Sequence, residues 1–211
     1  YMTNTVSTIR LHDELRKCRF LKKYVHISTP EVYGNCTGLV KENTNYNPST
    51  PYAISRAAAD MSLMTFSKVY DFPVIFTRAA NVYGEGQQLY RIVPRAIYFF
   101  LTGQTLSLHG GGNSERSFIH IDDVNHGTLL ACRMANPGDI FHFSTKSAIS
   151  IRQLVERISK KLNVEFHDVV KITGERLGKD AAYLLDSSLA AKKLNWQARC
   201  DLEEGLDRTI D

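Results

Sequence analysis

Residues 50–60 read Thr50-Pro51-Tyr52-Ala53-Ile54-Ser55-Arg56-Ala57-Ala58-Ala59-Asp60. Proline fits the first turn of a helix and the alanines favour the helical state, so the stretch predicts a helix that runs from Tyr52 to about Tyr70. Because residues four apart share a helical face, Tyr52 and Arg56 are neighbours on it. A positive charge beside a phenol favours the phenolate, so this pair is suited to taking a proton from an alcohol or sugar hydroxyl.

A second informative stretch lies upstream, at residues 24–34. A short apolar run, residues 24–27, predicts a buried strand, and Ser28, Thr29 and Glu31 follow it directly. In open α/β sheets, ligands bind at the carboxyl ends of the strands. We therefore expect these polar groups to face a site that they share with Tyr52.

Both stretches resemble one family. Residues 28–34, Ser-Thr-Pro-Glu-Val-Tyr-Gly, resemble the Ser-Thr-Asp-Glu-Val-Tyr-Gly segment of the NAD-dependent nucleotide-sugar 4,6-dehydratases, above all the dTDP-glucose 4,6-dehydratases. Tyr52 and Arg56 resemble the Tyr-x-x-x-Lys pair of the extended short-chain dehydrogenase/reductase family, with Arg in place of Lys. The resemblance implies NAD as cofactor and Thr29, Glu31, Tyr52 and Arg56 as catalytic residues.

Later segments extend the resemblance over essentially the whole chain, in the family's order. They are residues 78–84 (Arg-x-x-Asn-Val-Tyr-Gly), 116–124, 175–186 and 195–206. The resemblance implies that the cofactor is bound by Ser28, Tyr52, Arg56, Ala79 and Val82. It implies that the substrate is bound by Asn81, Arg116 and Arg176.

The fold implied by the resemblance is α/β, the C-terminal part of a Rossmann-like doubly wound parallel sheet with a smaller α/β substrate-binding lobe. Residues 1–84 would belong to the NAD-binding domain, to which residues 113–145 return, and residues 85–211 mainly to the nucleotide-sugar lobe. The family's glycine-rich turn, which binds the NAD pyrophosphate, has no counterpart before the first helix. We therefore expect the N-terminal strands of the Rossmann domain to be missing from this sequence.

The implied reaction is a 4,6-dehydration of a nucleotide-diphosphate hexose. Tyr52 removes the O4 proton as hydride leaves C4 for NAD, Thr29 hydrogen-bonds O4, and Glu31 removes the C5 proton before hydride returns to C6. Two residues depart from the pattern of the dTDP-glucose enzymes. Pro30 replaces an Asp that protonates the departing hydroxyl, and Arg56 offers a planar fork where Lys offers a compact ammonium. Since GDP-mannose 4,6-dehydratases have Ser at the position of Pro30, Glu31 would act first as base and then as acid.

Three alternatives stay open. A UDP-glucuronate decarboxylase shares a Ser-Thr-x-Glu-Val-Tyr-Gly segment, but it calls for an additional sugar-pocket Arg that this sequence does not identify. A nucleotide-sugar 4-epimerase is the next, although those relatives usually lack the counterpart of Glu31. A non-catalytic or truncated nucleotide-sugar-binding relative would explain Pro30, Arg56 and the missing N-terminal part.

Composition limits the class of protein. With 43% hydrophobic residues and a net charge of +4, the chain is typical of a globular enzyme. It has no Lys/Arg cluster of the kind that indicates nucleic-acid binding. The sequence has no apolar run of about 20 residues, so we predict no membrane span and expect a cytoplasmic protein. Four separated cysteines fit no zinc or disulfide pattern, and we predict no metal site. The resemblance implies a homodimer that pairs through helices at residues 3–17 and 52–70.

Overall fold

The computed structural model describes residues 1–36, 38–174 and 184–211. Arg176 and most of the segment 175–186 therefore lie outside the described residues. The chain starts with a π-helical stretch, Met2–Ser7, and has two 3₁₀ turns, Pro30–Tyr33 and Gly110–Gly112. The α-helices are α1 Thr8–Leu15, α2 Pro51–Tyr70, α3 Ile92–Leu101, α4 Ile121–Met134, α5 Ile151–Lys161, α6 Phe166–Val169, α7 Ser188–Leu194 and α8 Leu202–Ile210.

The strands are short and most of them pair in parallel. They are β1 Tyr24–Ile27, β2 Leu39–Val40, β3 Val74–Ala79, β4 Asn81–Tyr83, β5 Leu106–His109, β6 Glu115–Arg116, β7 Phe118–His120, β8 Ile140–Phe143, β9 Ile149–Ser150, β10 Val170–Thr173 and β11 Leu184–Leu185.

A three-stranded parallel sheet in the order β1-β3-β8 forms the first layer. Ile27 lies opposite Thr77, and Phe76 opposite Ile140, so the three strands end at one common edge. Helices connect the strands, as the prediction of a Rossmann-like α/β fold requires. The predicted buried character of the first strand is wrong in part. His26 is the buried residue of β1 and Ile27 is 63% exposed, because β1 is an edge strand in the described part of the chain.

The predicted helix after Thr50 is confirmed as α2. The hydroxyl of Thr50 accepts a hydrogen bond from the backbone N–H of Ala53 (3.1 Å), and Pro51 occupies the first helical position. Asp71 in the left-handed conformation ends the helix. The N-terminal helical region packs on α2, where the hydroxyl of Thr5 donates to the carbonyl of Ser55 (2.9 Å).

A second layer packs α3 and α5 around the strand β5. Its core is formed by the buried residues Tyr83, Val93, Ala96, Ile97, Phe100, Leu106, Leu108, Phe118, Leu154, Val155, Ile158 and Leu206. Burial of each large side chain contributes about 1.5–3 kcal/mol, so this core holds the sheet-edge residues 81–83 and 116–118 in place. A capping box of Ser150 and Gln153 starts α5.

Three local features of the fold go beyond the sequence motifs. The polar loop of residues 35–50 contains the strand β2, which pairs with β11 far along the chain. The first helical region starts as a π-helix and becomes α-helical only at Thr8. The helix α4 is capped by His120, whose Nδ1 accepts from the backbone N–H of Asp122 (3.3 Å). Asp122 pairs with Arg208 (2.6 Å).

Within the described ranges, no helix combines the length and the apolar character that a membrane span needs.

Candidate active site

The polar residues after β1 lie at the carboxyl edge of the parallel sheet, as predicted. Thr29 is buried and extended, and its hydroxyl accepts a hydrogen bond from the backbone N–H of Glu31 (3.3 Å). Thr29 thus caps the 3₁₀ turn Pro30–Tyr33. Its O–H remains a donor, because capping uses only a lone pair of the oxygen. Glu31 is half-buried in the first turn.

Pro30 is accommodated by the turn that follows Thr29. It is buried at the first helical position, where a backbone N–H has no intrahelical partner, so proline carries no hydrogen-bond penalty there. The side chain has no proton to donate. Pro30 therefore supports the local structure, and any acid that acts at this site comes from another residue.

Gly34 brings the following loop against the turn. Its φ is +68°, and a Cβ at this position would lie 1.8 Å from the backbone oxygen of Asn47. Asn47 also donates its N–H to the carbonyl of Val32 (3.0 Å). Because only glycine fits this contact, Gly34 sets the path of the chain into Thr50 and α2.

Tyr52 and Arg56 lie on the first two turns of α2. The Tyr52 side chain is 48% exposed. Arg56 is half-buried and donates from Nη2 to the carbonyl oxygen of Ile27. The positive charge of Arg56 is thereby held at the carboxyl end of β1, next to the segment with Thr29 and Glu31.

The Nε atom of Arg56 gives a test of whether a ligand fits here. It is buried, and no group in the described ranges accepts a hydrogen bond from it. A buried N–H without an acceptor is costly, and a hydroxyl or phosphate oxygen of a ligand would satisfy it. The donor set of Arg56 and Tyr52 therefore fits the polar part of a bound cofactor.

Other residues predicted to touch the cofactor lie at the same edge. Ala79 ends β3, Val82 lies in β4, and both are half-buried. Ser28, also predicted to touch the cofactor, follows β1, and its hydroxyl donates to the buried carboxylate of Asp60 (2.6 Å).

The structure brings two of the predicted substrate-binding residues together. The backbone N–H and side-chain Nδ2 of Asn81 both donate to the carbonyl oxygen of Ser117 (3.0 and 3.2 Å). Arg116, the preceding residue, is half-buried in β6 and donates from Nη1 to the carbonyl of Glu115 (2.8 Å). Asn81 is thus hydrogen-bonded to the residue that follows Arg116, and an amide and a guanidinium are groups suited to binding a diphosphate.

Sequence reasoning missed a buried polar cluster behind these residues, formed by His26, Ser28, Tyr33, Tyr46, Asp60, Arg78 and His142. Two signals were available. Asp60 interrupts the alanine-rich face of α2, and Arg78 follows four apolar or β-branched residues of a buried strand. A charge inside such a run predicts a buried partner of opposite charge.

Comparison with known proteins identifies the family. Residues 1–209 match the family model described as GDP-mannose 4,6 dehydratase. The chain belongs to the GDP-mannose 4,6-dehydratase family. This result confirms the relationship to NAD-dependent epimerases and dehydratases that the motifs predicted.

Two curated relatives illustrate the similarity. The chain is 32% identical over 207 residues to a trifunctional UDP-glucose 4,6-dehydratase/UDP-4-keto-6-deoxy-D-glucose 3,5-epimerase/UDP-4-keto-L-rhamnose-reductase of Arabidopsis thaliana. That match covers 95% of this chain and 31% of the relative. It is 33% identical over 189 residues to a dTDP-glucose 4,6-dehydratase of Streptomyces antibioticus, which covers 89% of this chain and 56% of the relative. The chain thus spans 31% and 56% of the length of these two relatives.

Solved structures confirm the Rossmann-like fold. A dTDP-glucose 4,6-dehydratase from Streptomyces venezuelae, crystallised with NAD and TYD, superposes with a TM-score of 0.94 at 29% identity. The match covers 99% of this chain and 64% of that structure. A UDP-glucuronic acid 4-epimerase from Bacillus cereus, with UDP-glucuronic acid and NAD, gives a TM-score of 0.93 at 25% identity, covering 100% of this chain and 67% of that structure.

Proposed function

We propose that the product of the complete gene is an NAD-dependent nucleotide-diphosphate-hexose 4,6-dehydratase. One observation carries the proposal. Thr29 caps the 3₁₀ turn that contains Glu31, and Arg56 of α2 is hydrogen-bonded to Ile27 at the end of β1, the strand that leads into this turn. This arrangement combines a hydroxyl donor, a carboxylate and a Tyr–Arg pair at the carboxyl edge of a parallel sheet.

Tyr52 and Thr29 serve the first step. Tyr52 acts as the base that takes the proton from O4 of the sugar, and the O–H of Thr29 hydrogen-bonds the oxygen as its charge develops. Bound NAD would supply the hydride acceptor at C4 and the hydride donor at C6. Arg56, Tyr52, Ala79 and Val82 would hold it, and the buried Nε of Arg56 would find there the acceptor that it lacks.

Glu31 serves the elimination. A ketone at C4 acidifies C5, so the Glu31 carboxylate takes the C5 proton, and the carboxylic acid thus formed returns a proton to the departing C6 hydroxyl. Pro30 makes this double role necessary, because the residue beside Glu31 has no proton to give. The sum of the two events is the loss of one water.

Substrate binding is proposed for three residues. Asn81 and Arg116, joined through Ser117, would contact the diphosphate, and Arg176 is proposed on the resemblance alone since it lies outside the described residues. The segment from residue 85 onward is proposed to form most of the nucleotide-sugar lobe.

Homodimerisation through the first helical region and α2 is a further part of the proposal. Both elements carry exposed apolar side chains, namely Met2 and Leu11 on the first and Ile54 and Met61 on the second. Such side chains on two adjacent helices are typical of a surface covered by another protein. Sedimentation of the complete gene product tests this, and a monomer at micromolar concentration would contradict it.

A nucleotide-sugar 4-epimerase is the second candidate, favoured by the similarity to the Bacillus cereus enzyme. Glu31 distinguishes the two reactions, because epimerisation at C4 leaves the C5–H bond intact and needs no base there.

The test is turnover of dTDP-, UDP-, GDP- and CDP-hexoses by the complete gene product with NAD, followed by mass spectrometry. A product lighter by one water, abolished by Tyr52→Phe and by Glu31→Gln, supports the dehydratase. A product of unchanged mass with inverted C4 supports the epimerase, and loss of carbon dioxide from UDP-glucuronate supports a decarboxylase. Sugar binding without turnover would overturn the proposal in favour of a non-catalytic relative.

A further inference from the structure

A buried ion pair contacts both ends of residues 28–33, which include Thr29 and Glu31 and are called the catalytic segment below. Asp60 of α2 and Arg78 of β3 are both 0% exposed, and Arg78 Nη2 donates to Asp60 Oδ2 at 2.9 Å. Two charges withdrawn from water are favourable only when paired and fully hydrogen-bonded. The partners of this pair therefore indicate what it does.

Asp60 ties α2 to the end of β1. It lies eight residues after Tyr52 and four after Arg56, so the three side chains share one stripe of the helix. Ser28 donates to Asp60 Oδ2 (2.6 Å), and His26 Nε2 lies 3.1 Å from Asp60 Oδ1. Since Arg56 donates to the carbonyl of the intervening Ile27, the Tyr52 stripe contacts every residue from His26 to Ser28.

Arg78 holds both ends of the catalytic segment. Its Nε donates to Ser28 Oγ (3.4 Å) and its Nη1 donates to the hydroxyl of Tyr33. Ser28 and Tyr33 flank Thr29 and Glu31, so the turn between them is anchored at its start and at its end. The hydroxyl of Tyr33 also lies 2.7 Å from Nε2 of His142 in β8.

The electrostatics keep the pair ionised. Burial alone would raise the pKa of Asp60, but hydrogen bonds from His26 and Ser28 and the charge of Arg78 outweigh it, so the pKa is lowered. Arg78 lies between the rings of Tyr33 and Tyr46, with its guanidinium 4.8 and 5.1 Å from their centroids. The two rings and their hydroxyls interact with the parts of the Arg78 guanidinium that do not contact Asp60.

We infer that Asp60 and Arg78 are positioning residues, which set the location of Thr29 and Glu31 relative to Tyr52. This inference rests on the proposed function, since it concerns the same site. Neither residue faces the site, so their action is through Ser28, Tyr33 and α2. Displacement of a reacting group by about 1 Å can lower a rate about 100-fold, which sets the scale of the expected effect.

The test compares Asp60→Asn with Asp123→Asn in the complete gene product. Asp123 is a matched control because it is also a buried helical carboxylate, which accepts the backbone N–H groups of Arg199 and Cys200 (3.0 and 3.1 Å) away from the site. We expect both substitutions to lower the melting temperature. Asp60→Asn alone should lower kcat about 100-fold while KM for the nucleotide sugar stays unchanged, because Asn81 and Arg116 are not displaced.

Tyr33→Phe provides a milder variant that keeps the buried ring. It removes the hydroxyl between Arg78 and His142, and we expect a smaller fall in kcat, again without a change in KM. This variant decides the matter if Asp60→Asn does not fold.

Hydrogen–deuterium exchange separates this inference from the proposed function. Asp60→Asn, or Tyr33→Phe in its place, should speed exchange at residues 28–34, and Asp123→Asn should not. Equal exchange and equal kcat in a site variant and the control would overturn the positioning role. A wild type that turns over no sugar while Asp60→Asn still loosens residues 28–34 would overturn the proposed function and support the structural link.

Discussion

Arg56 donates a hydrogen bond from Nη2 to the carbonyl oxygen of Ile27, and this contact fixes the positive charge of α2 at the end of strand β1. The charge is therefore held by the sheet as well as by the helix. Because Nε of Arg56 is buried without an acceptor in the described part of the chain, the guanidinium is only partly satisfied by the protein. Both features make Arg56 the natural first target for substitution.

Arg56→Lys should retain turnover within about tenfold, because the positive charge one helical turn from Tyr52 is kept. Arg56→Met should lower kcat about 100- to 1000-fold, since both the charge and the donors are lost. Steady-state dehydration of the nucleotide sugar measures the difference. An equal loss in the two variants would contradict a role based on charge.

Tyr52→Phe should lower kcat by about 10²- to 10⁴-fold, because it removes the hydroxyl that takes the O4 proton. The side chain is half-exposed, so the free energy of unfolding should change by less than about 0.5 kcal/mol. Tyr70→Phe is a matched control on the same helix, with a similarly exposed ring. If it slows the reaction as much as Tyr52→Phe does, the assignment of Tyr52 as base is wrong.

Glu31→Gln should separate oxidation at C4 from elimination. When sugar is added, the variant should still reduce NAD, which the absorbance of the nicotinamide measures. It should not release the dehydrated product. If the variant neither reduces NAD nor eliminates water, Glu31 is needed already for the oxidation at C4.

Pro30→Asp should raise the rate of elimination relative to wild type. Aspartate is accepted in the first turn of a helical segment, and it supplies the acid that Pro30 lacks. Product formation in a single turnover measures this step. No increase, with the fold intact, would show that Glu31 already supplies the proton at full efficiency.

Gly34→Ala should destabilise the protein more than Gly103→Ala. The two glycines have nearly the same φ (+68° and +67°), so alanine pays a similar strain of about 1–2 kcal/mol at each. Only at Gly34 would the new Cβ meet a backbone atom, the oxygen of Asn47, whereas nothing lies within 4 Å at Gly103. Chemical denaturation of both variants gives the comparison, and equal losses would contradict the close contact.

His12 should make the protein less stable in mild acid. Burial, and then the charge of His26, lowers the pKa of His12 from 6.5 to about 4. The unfolded chain therefore binds a proton that the folded chain excludes, so stability is present above pH 6.5 and falls as the pH drops towards 4. The loss is about 2–3 kcal/mol.

Denaturation between pH 4 and 7 measures this dependence. His12→Gln keeps a polar partner for the hydroxyl of Tyr24, 3.0 Å from His12 Nε2, and should flatten the slope. His109→Gln, which changes an exposed histidine, should leave it as in wild type. Identical slopes in all three proteins would contradict the prediction.

Local chemistry made much of the site predictable. Thr50 and Pro51 start α2 by capping and by backbone geometry, so the spacing of Tyr52 and Arg56 followed from the sequence alone. Ser28, Thr29 and Glu31 follow an apolar run, and their place at the strand end was predicted for the same reason. These predictions depend on neighbours within about four residues.

Partners far apart in sequence could not be predicted in this way. Nothing near Ser28 in the sequence indicated that its hydroxyl donates to Asp60, 32 residues away. In the described part of the chain β1 lies at an edge of its sheet, although its sequence indicated burial.

The sequence by itself determined the family, the helix with Tyr52 and Arg56, and the order of the polar segments, because periodicity, capping and motif spacing are local properties. Only the tertiary structure decided that Asp60 pairs with Arg78, and that Asn81 bonds to the carbonyl of Ser117, the residue after Arg116. These contacts join separate elements, and they form because a buried charge or a buried N–H must find a partner wherever the packed chain provides one.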